Sequence, residues 1–199
     1  MIVYSANVRF GGRNVARRAA RIVAELRSET SFGTALLFVQ ECSAASMRAI
    51  SELLRETHVG FARPGHESVV GIFVATFVPR GLLGFGPNGT TGPDGAAGAA
   101  ARVTVTCART PHTRMGRDFH AVRFGDTTLL NVHLDSCSDS AATRWKQIHA
   151  MMPLSRRLAV LGDLNDPEKY AARGVDVAVR TIWMPRKLTD HSVRVYTLR

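Results

Sequence analysis

A few short stretches of this chain bring together side chains able to bind a cation, move a proton and donate to an anion. Gly162-Asp163-Leu164-Asn165 sets a carboxylate and a carboxamide two residues apart on a turn. Gln40-Glu41 closes an apolar run, and Asn131-Val132-His133-Leu134 closes another. Asn7 follows the first apolar run, and Thr189-Asp190-His191 precedes the last one. A carboxylate can aim a water molecule, an imidazole or a carboxamide can donate to a developing negative charge, and a second carboxylate can hold a cation. Each stretch alone is ordinary: Gly, Asp and Asn suit any tight turn, and a histidine at a strand end is commonly just a hydrogen-bonded one. Their joint occurrence, each at or beside the end of an expected strand, is what suggests a site assembled on a rigid scaffold.

The elements that must position them can be read from periodicity. Ile2 to Ala6 is an expected strand, followed by a turn at Gly11-Gly12. Asn14 is placed to cap a helix running to about Ser28, with Val15, Ala19, Ile22, Val23 and Leu26 on one face. Arg13, Arg17, Arg18, Arg21 and Arg27 then form its solvated face. Ala35 to Gln40 is a buried strand, and Ser43 to Glu56 a second helix with Met47, Ile50, Leu53 and Leu54 inward. Val69 to Val78 is too β-branched for a surface helix and is expected as a strand.

Residues 81–100 are rich in Gly, Pro and Ala and are expected as a flexible loop. Strands at Arg102 to Cys107, Phe119 to Phe124 and Thr127 to His133 follow, the last two joined by a hairpin turn at Gly125-Asp126. A helix capped by Asp139 or Ser140 runs to about Met152. Leu158 to Leu161, Val175 to Thr181 and Val193 to Leu198 complete the strands. There are no internal repeats. Helices and strands alternate at both ends with hairpins between, which fits an α/β sandwich of two packed sheets flanked by helices. The expected organisation is a single domain over residues 1–199.

Composition narrows the classes. Apolar residues are 45% of the chain, enough for a substantial core, and no apolar run reaches the ~20 residues of a membrane span. The first residues enter a strand pattern at once, without a signal-peptide layout. Cys42, Cys107 and Cys137 have no metal-ligand spacing and are expected as reduced thiols. The expectation is an intracellular protein, cytoplasmic or nuclear, off the membrane and monomeric. The net charge of +10 comes mostly from arginine, with 23 Arg against 3 Lys. Such a balance suits a polyanionic partner, because Lys and Arg neutralise phosphates and release counterions. An arginine-rich composition bias gives the same charge, so charge alone does not select nucleic acid.

Taken in order, Asn7, Gln40-Glu41, Asn131-x-His133, Gly162-Asp163-x-Asn165 and Thr189-Asp190-His191 resemble the motif set of the endonuclease/exonuclease/phosphatase superfamily. That superfamily includes deoxyribonuclease I, the apurinic-site endonucleases and the inositol polyphosphate 5-phosphatases. The one substitution in the set is Thr189, where the family has Ser. The resemblance spans residues 2 to 198. It is nearest to the 5′-tyrosyl-DNA phosphodiesterases, through His133-Leu134-Asp135-Ser136 and the helix pattern Ala141-x-x-Arg144-x-x-Gln147. Thr113-Arg114-Met115-Gly116-Arg117 resembles a segment before the hairpin of that branch more weakly.

The resemblance implies a deoxyribonuclease I-like four-layer α/β sandwich and a Mg²⁺-dependent phosphodiesterase, with Mn²⁺ as an alternative metal. Glu41 would hold the metal, with Asp190 completing that side. Mg²⁺ is commonly held by one or two carboxylates plus waters and phosphate oxygens, so a single Glu is chemically reasonable. Asn7 would orient metal-bound water or phosphate. Asp163 would be the base, Asn165 and His191 phosphate donors, and His133 a second histidine toward the phosphate or leaving group. Asp176 matches a family Asp that hydrogen-bonds the histidine at position 191. Asn131 is grouped with Asn7 as substrate-binding.

Two departures stand out. Arg9 occupies a position where relatives have Asp or Gly, and could contact phosphate or repel a metal. Only ten residues separate Asn165 from Asp176, so a substrate-shaping insertion is short. The expected substrate is nucleic acid, DNA before RNA. The alternatives are a phosphomonoesterase acting on inositol phosphates, and a catalytically weak nucleic-acid-binding relative.

Overall fold

The computed structural model describes residues 1–9, 13–63, 71–83, 103–136, 141–165, 171–184 and 191–199. Its elements are β1 (Ile2–Asn7), α1 (Val15–Leu26), β2 (Leu36–Cys42), α2 (Ala44–Leu54), β3 (His58–Phe61) and β4 (Phe73–Pro79). They continue as β5 (Thr104–Arg109), β6 (Asp118–Phe124), β7 (Thr127–His133), α3 (Ala141–Met151), β8 (Arg157–Asp163), β9 (Ala171–Arg173), β10 (Val177–Ile182) and β11 (Val193–Leu198). One sheet has the order β10-β11-β1-β2-β4-β3, the other β5-β6-β7-β8-β9. The pairs β1–β2 and β7–β8 are parallel and the rest antiparallel, so both sheets are mixed. Helices α1 and α2 pack on the outer face of the first sheet and α3 on that of the second. The result is the expected four-layer α/β sandwich.

Strand alternation builds the site. Side chains two apart share a face, and the inner face of each site strand changes from apolar to polar toward its C-terminal end. β1 presents Val3, Ser5 and Asn7, and β2 presents Leu36, Phe38 and Gln40. β7 presents Leu129, Asn131 and His133, and β8 presents Ala159, Leu161 and Asp163. The apolar members form the core between the sheets. Above it lies a layer of buried hydrogen bonds. Nε2 of Gln40 donates to Oδ1 of Asn131 (2.8 Å) and Oγ of Ser5 (3.1 Å). Nδ2 of Asn131 donates to the Ala75 carbonyl (2.8 Å) and Oγ1 of Thr76 (3.1 Å), and that hydroxyl meets Nδ1 of His120 (3.0 Å). A buried polar group without a partner is costly. The bonds among Gln40, Asn131, Ala75, Thr76 and His120 cross between the sheets and therefore help set how they face one another, while Gln40–Ser5 ties β2 to β1 within one sheet.

Two backbone irregularities aim side chains at the end of the sandwich. Alternation alone would turn Glu41 to the helix side of β2. Instead the β2–β4 register shifts between Val39 and Cys42, and Glu41 adopts φ 53°. Such a bulge re-aims one side chain and is stable only where surrounding structure enforces it. Gly162 has φ 118°, and a Cβ there would stand 2.3 Å from the Val132 carbonyl oxygen. Only glycine fits this close approach of β8 to β7.

Several expectations shift at their edges. β2 runs on to Cys42 and β8 to Asp163, so Glu41 and Asp163 lie at the strand ends, one or two residues beyond the expected apolar runs. Asn14 precedes α1 but does not cap it with its side chain, because its own backbone is left-handed (φ 61°). Ser43 does cap α2, accepting from the Ser46 N–H. β3 and β9 are short strands with no expected counterpart. The Gly11-Gly12 turn, most of the 81–100 loop, Cys137 and the caps at Asp139 and Ser140 lie outside the described residues. Cys42 and Cys107 are free, and burial pushes the Cys42 thiol up to about 12, which keeps it inert. Among the described residues no helix is long and apolar enough to cross a membrane.

Candidate active site

The C-terminal ends of β1, β2, β7 and β8 converge at one end of the sandwich, joined by the segment that enters β11. At their centre is Asn7. Its Nδ2 donates to Oδ2 of Asp163 (2.7 Å) and to Oε1 of Glu41 (3.1 Å). The orientation of this amide is set by the main chain, because the Arg9 N–H donates to Oδ1 of Asn7 (2.8 Å). Arg9 has φ 53° and an exposed side chain, and Arg18 donates to its carbonyl. The main chain of Arg9 therefore does the positioning.

Asp163 is the most connected carboxylate of the group. Its Oδ1 accepts the Asn165 N–H (3.0 Å), which is the tight turn expected of Asp-x-Asn. Its Oδ2 lies 3.5 Å from Nδ1 of His191 and 3.9 Å from Nε2 of His133. Burial pushes the Asp163 pKa up. His133, the Asn7 hydrogen bond, His191 and the Asn165 N–H together outweigh it, so the pKa ends below the usual carboxylate value. Asp163 is therefore an anion under ordinary conditions.

His133 is buried, and Nε2 sits 4.0 Å from Oε1 of Glu41 as well as near Asp163. Desolvation is the largest influence on it and drives its pKa well below the ordinary histidine value. Asp163 and Glu41 oppose the shift and Arg117 and His191 add to it. The ring is thus neutral, and its contacts of 3.9 and 4.0 Å with the carboxylates are dipolar rather than ion pairs. Its Nδ1 faces Nη1 of Arg117 at 2.8 Å.

Beside Asp163 is a cleft of about 40 Å³, lined among others by Asn7, Gly162, His191, Ser192 and Arg194. That is room for water next to the carboxylate. Asn165 braces this end: its Nδ2 donates to the Leu134 carbonyl (2.7 Å). One of its N–H groups thus serves the scaffold.

Two expected site residues are elsewhere. Asp176 does not reach His191. β10 and β11 are antiparallel, with Val177 opposite Leu198 and Ile182 opposite Val193. Asp176 therefore lies at the far end of the sheet, where its carbonyl accepts the Arg199 N–H. At ~3.3 Å per residue, a six-residue strand separates the two ends by roughly 20 Å. By Arg173, paired opposite Leu158, the chain is back at the end of the sandwich away from Asp163. Asn131, expected with the substrate-binding residues, is 0% exposed and bonded to Gln40, Ala75 and Thr76, so it supports the site from one layer below. Asp190 and Thr189 lie outside the described residues.

Arg117, Arg194 and Ser192 were not singled out. Arg194 had a legible signal. It interrupts the apolar inner face that Tyr196 and Leu198 continue, and its Nη1 approaches the Gly162 carbonyl (3.4 Å). Arg117 had none beyond its segment's weak resemblance, in a chain with 23 arginines.

Among the described residues no three His, Cys, Asp or Glu side chains form a cluster able to hold a metal by themselves. A hard cation that keeps most of its waters takes only one or two protein carboxylates. Glu41, partly exposed and sharing the Asn7 donor with Asp163, is chemically fitted to that role.

No family model matches this chain, and no curated protein matches it by sequence. Solved structures do match its shape. A D. rerio TDP2 humanised by 14 mutations superimposes with a TM-score of 0.70 at 15% identity, covering 100% of this chain and 98% of that one. An endonuclease/exonuclease/phosphatase from Bacteroides vulgatus gives 0.68 at 12% identity, covering 100% and 98%. D. rerio TDP2 complexed with single strand DNA product gives 0.58 at 16% identity, covering 100% and 83%. The chain has the endonuclease/exonuclease/phosphatase fold.

Proposed function

We propose that this protein is a divalent-metal-dependent hydrolase of phosphodiester bonds in nucleic acid, acting as a nuclease or on a 5′-phosphotyrosyl end. The observation that supports this reading best is the sharing of one Asn7 nitrogen between Asp163 and Glu41. It joins the carboxylate suited to a water to the carboxylate suited to a cation, beside a cleft that admits water.

In the reaction, Asp163 takes a proton from the water as its oxygen bonds to phosphorus, and the opposite P–O ester bond breaks with its electron pair leaving on the ester oxygen, which takes a proton from solvent. The anionic, desolvated state of Asp163 suits it for that proton. Asn7 holds the carboxylate in place. His191, with Nδ1 toward Asp163, is partly exposed and can present Nε2 to a phosphoryl oxygen. His133 presents Nε2 from the other side. A Mg²⁺ or Mn²⁺ ion held by Glu41, with Asp190 as a second candidate ligand, would neutralise charge on the phosphate.

Three features favour nucleic acid. The chain carries a net charge of +10. Trp183, one residue beyond the Ile182–Val193 pair at the His191 end of the sheet, is 83% exposed. An exposed indole suits stacking of an unpaired base. A similarly folded TDP2 was crystallised with a single-stranded DNA product. The test is a substrate panel with Mg²⁺: single-stranded DNA, a 5′-phosphotyrosyl oligonucleotide and an inositol polyphosphate, each with and without EDTA. EDTA-sensitive cleavage of an oligonucleotide substrate is expected. Turnover of the inositol phosphate alone would move the site to the phosphomonoesterase class.

A further inference from the structure

The structure assigns to Arg117 a role as positioning residue. It holds the His133 ring as the tautomer with its proton on Nε2, so His133 faces Asp163, Glu41 and substrate only as a hydrogen-bond donor.

The assignment follows from what each group can do. A guanidinium donates through all its nitrogens, accepts nothing and stays charged at any working pH. Nη1 of Arg117 stands 2.8 Å from Nδ1 of His133, so Nδ1 must be the acceptor. A neutral imidazole that accepts at Nδ1 carries its hydrogen on Nε2. That hydrogen then points toward the carboxylates, with Nε2 itself 3.9 Å from Oδ2 of Asp163 and 4.0 Å from Oε1 of Glu41. The Nε2 lone pair is thereby withdrawn from the site. His133 cannot ligate a cation through Nε2 or take a proton from water there. It can donate to an anionic oxygen arriving near the two carboxylates.

Arg117 is itself held in place. Its main-chain N–H donates to Oγ1 of Thr113 (3.1 Å), and that hydroxyl donates to Oδ1 of Asp135 (2.8 Å), which fixes the backbone from which the guanidinium reaches His133. Oδ2 of Asp135 accepts the Arg114 N–H (2.8 Å). Asp135 lies two residues beyond His133 on the same segment and is buried. The circuit His133, Arg117, Thr113, Asp135 therefore starts and ends on one stretch of chain. Gly116 supplies the left-handed turn it needs (φ 70°). Gln147 of α3 accepts the Asp135 N–H (3.4 Å), tying the circuit to the outer helix.

The proposal concerns the site read above as hydrolytic, but its first test does not depend on that reading. Ring ¹⁵N shifts of His133 are measured by NMR in the whole protein, in Arg117→Met and in Arg117→Lys. The parent is expected to show a protonated Nε2 and an accepting Nδ1. Arg117→Met should move the ring toward mixed tautomers, and Arg117→Lys, which keeps a donor, should retain the parent pattern. Thr113→Val gives a second route if Arg117→Met does not fold, and should shift the ring partway. The second test is kinetic: Arg117→Met should lower kcat about tenfold or more with KM nearly unchanged, and Arg117→Lys should recover part of it. A parent ring protonated on Nδ1, or ring shifts unchanged in Arg117→Met, overturns the tautomer assignment. A changed ring with unchanged kcat overturns its catalytic importance. If the parent hydrolyses nothing, the proposed function fails while the NMR result still decides the tautomer.

Discussion

The amide nitrogen of Asn7 stands 2.7 Å from Oδ2 of Asp163, although the two residues are 156 positions apart in the chain. This bond joins one sheet of the sandwich to the other at the site. The same nitrogen reaches Glu41 at 3.1 Å, so a single side chain sets the spacing of both carboxylates. Replacing it by Ala should weaken Mg²⁺ activation and lower kcat together. Titrating activity against Mg²⁺ in Asn7→Ala checks this: the half-saturating Mg²⁺ concentration should rise. An unchanged metal dependence would separate Asn7 from the metal side.

Asp176→Asn should leave kcat/KM within about twofold of the parent, since surface changes away from a site are near neutral. The antiparallel β10–β11 pairing holds this residue at the opposite end of the sheet from His191. A loss of a hundredfold in steady-state kinetics would instead support the pairing that the motif order suggested.

Gly162→Ala should destabilise the fold by about 2–5 kcal/mol, combining backbone strain at φ 118° with a Cβ 2.3 Å from the Val132 carbonyl oxygen. Urea denaturation measures it. A change below half a kcal/mol would mean that β7 and β8 can separate at this point at little cost.

Acid should destabilise the protein in a window set partly by His120. Burial lowers its pKa from 6.5 to about 4. The unfolded chain therefore binds a proton between those values that the folded chain refuses. The contribution is fully present above about pH 6.5 and falls as the pH drops toward 4. The loss is on the order of 3 kcal/mol at ~1.4 kcal/mol per pH unit. Unfolding free energy measured against pH should have a shallower slope in His120→Asn across that window. Identical slopes would show that His120 is not kept neutral by the fold.

Much of this site was legible because it lies on strand ends. Asn7, His133 and Asp163 each continue an alternating inner face, and a period of two carries them to the same end of the sandwich. Glu41 breaks that period, and only the bulge explains its aim. Depth was not legible: Asn131 and His133 share a face two residues apart, yet one is sealed in the polar layer and the other reaches the site. Asp176 was misplaced because the sequence does not reveal that the connection into β11 makes an antiparallel pair. β3 and β9 are three or four residues long and too short for a periodic signal. Arg117 acts through a contact formed only when the loop before β6 folds onto β7.

Trp183→Ala should weaken binding of single-stranded oligonucleotides by about 5- to 100-fold, the range for loss of one base stack. The effect should fall on KM and leave kcat nearly intact, because the residue is outside the Asp163 cluster. Equal affinity in parent and variant would leave base stacking without support.

The most direct measurement is turnover of a 5′-phosphotyrosyl oligonucleotide and of single-stranded DNA by the parent and by Asp163→Asn, with Mg²⁺ and with EDTA. The account predicts EDTA-sensitive cleavage by the parent, a loss of about 10²–10⁴-fold in Asp163→Asn, and unchanged oligonucleotide affinity in the variant. Equal activity in the two proteins would contradict it.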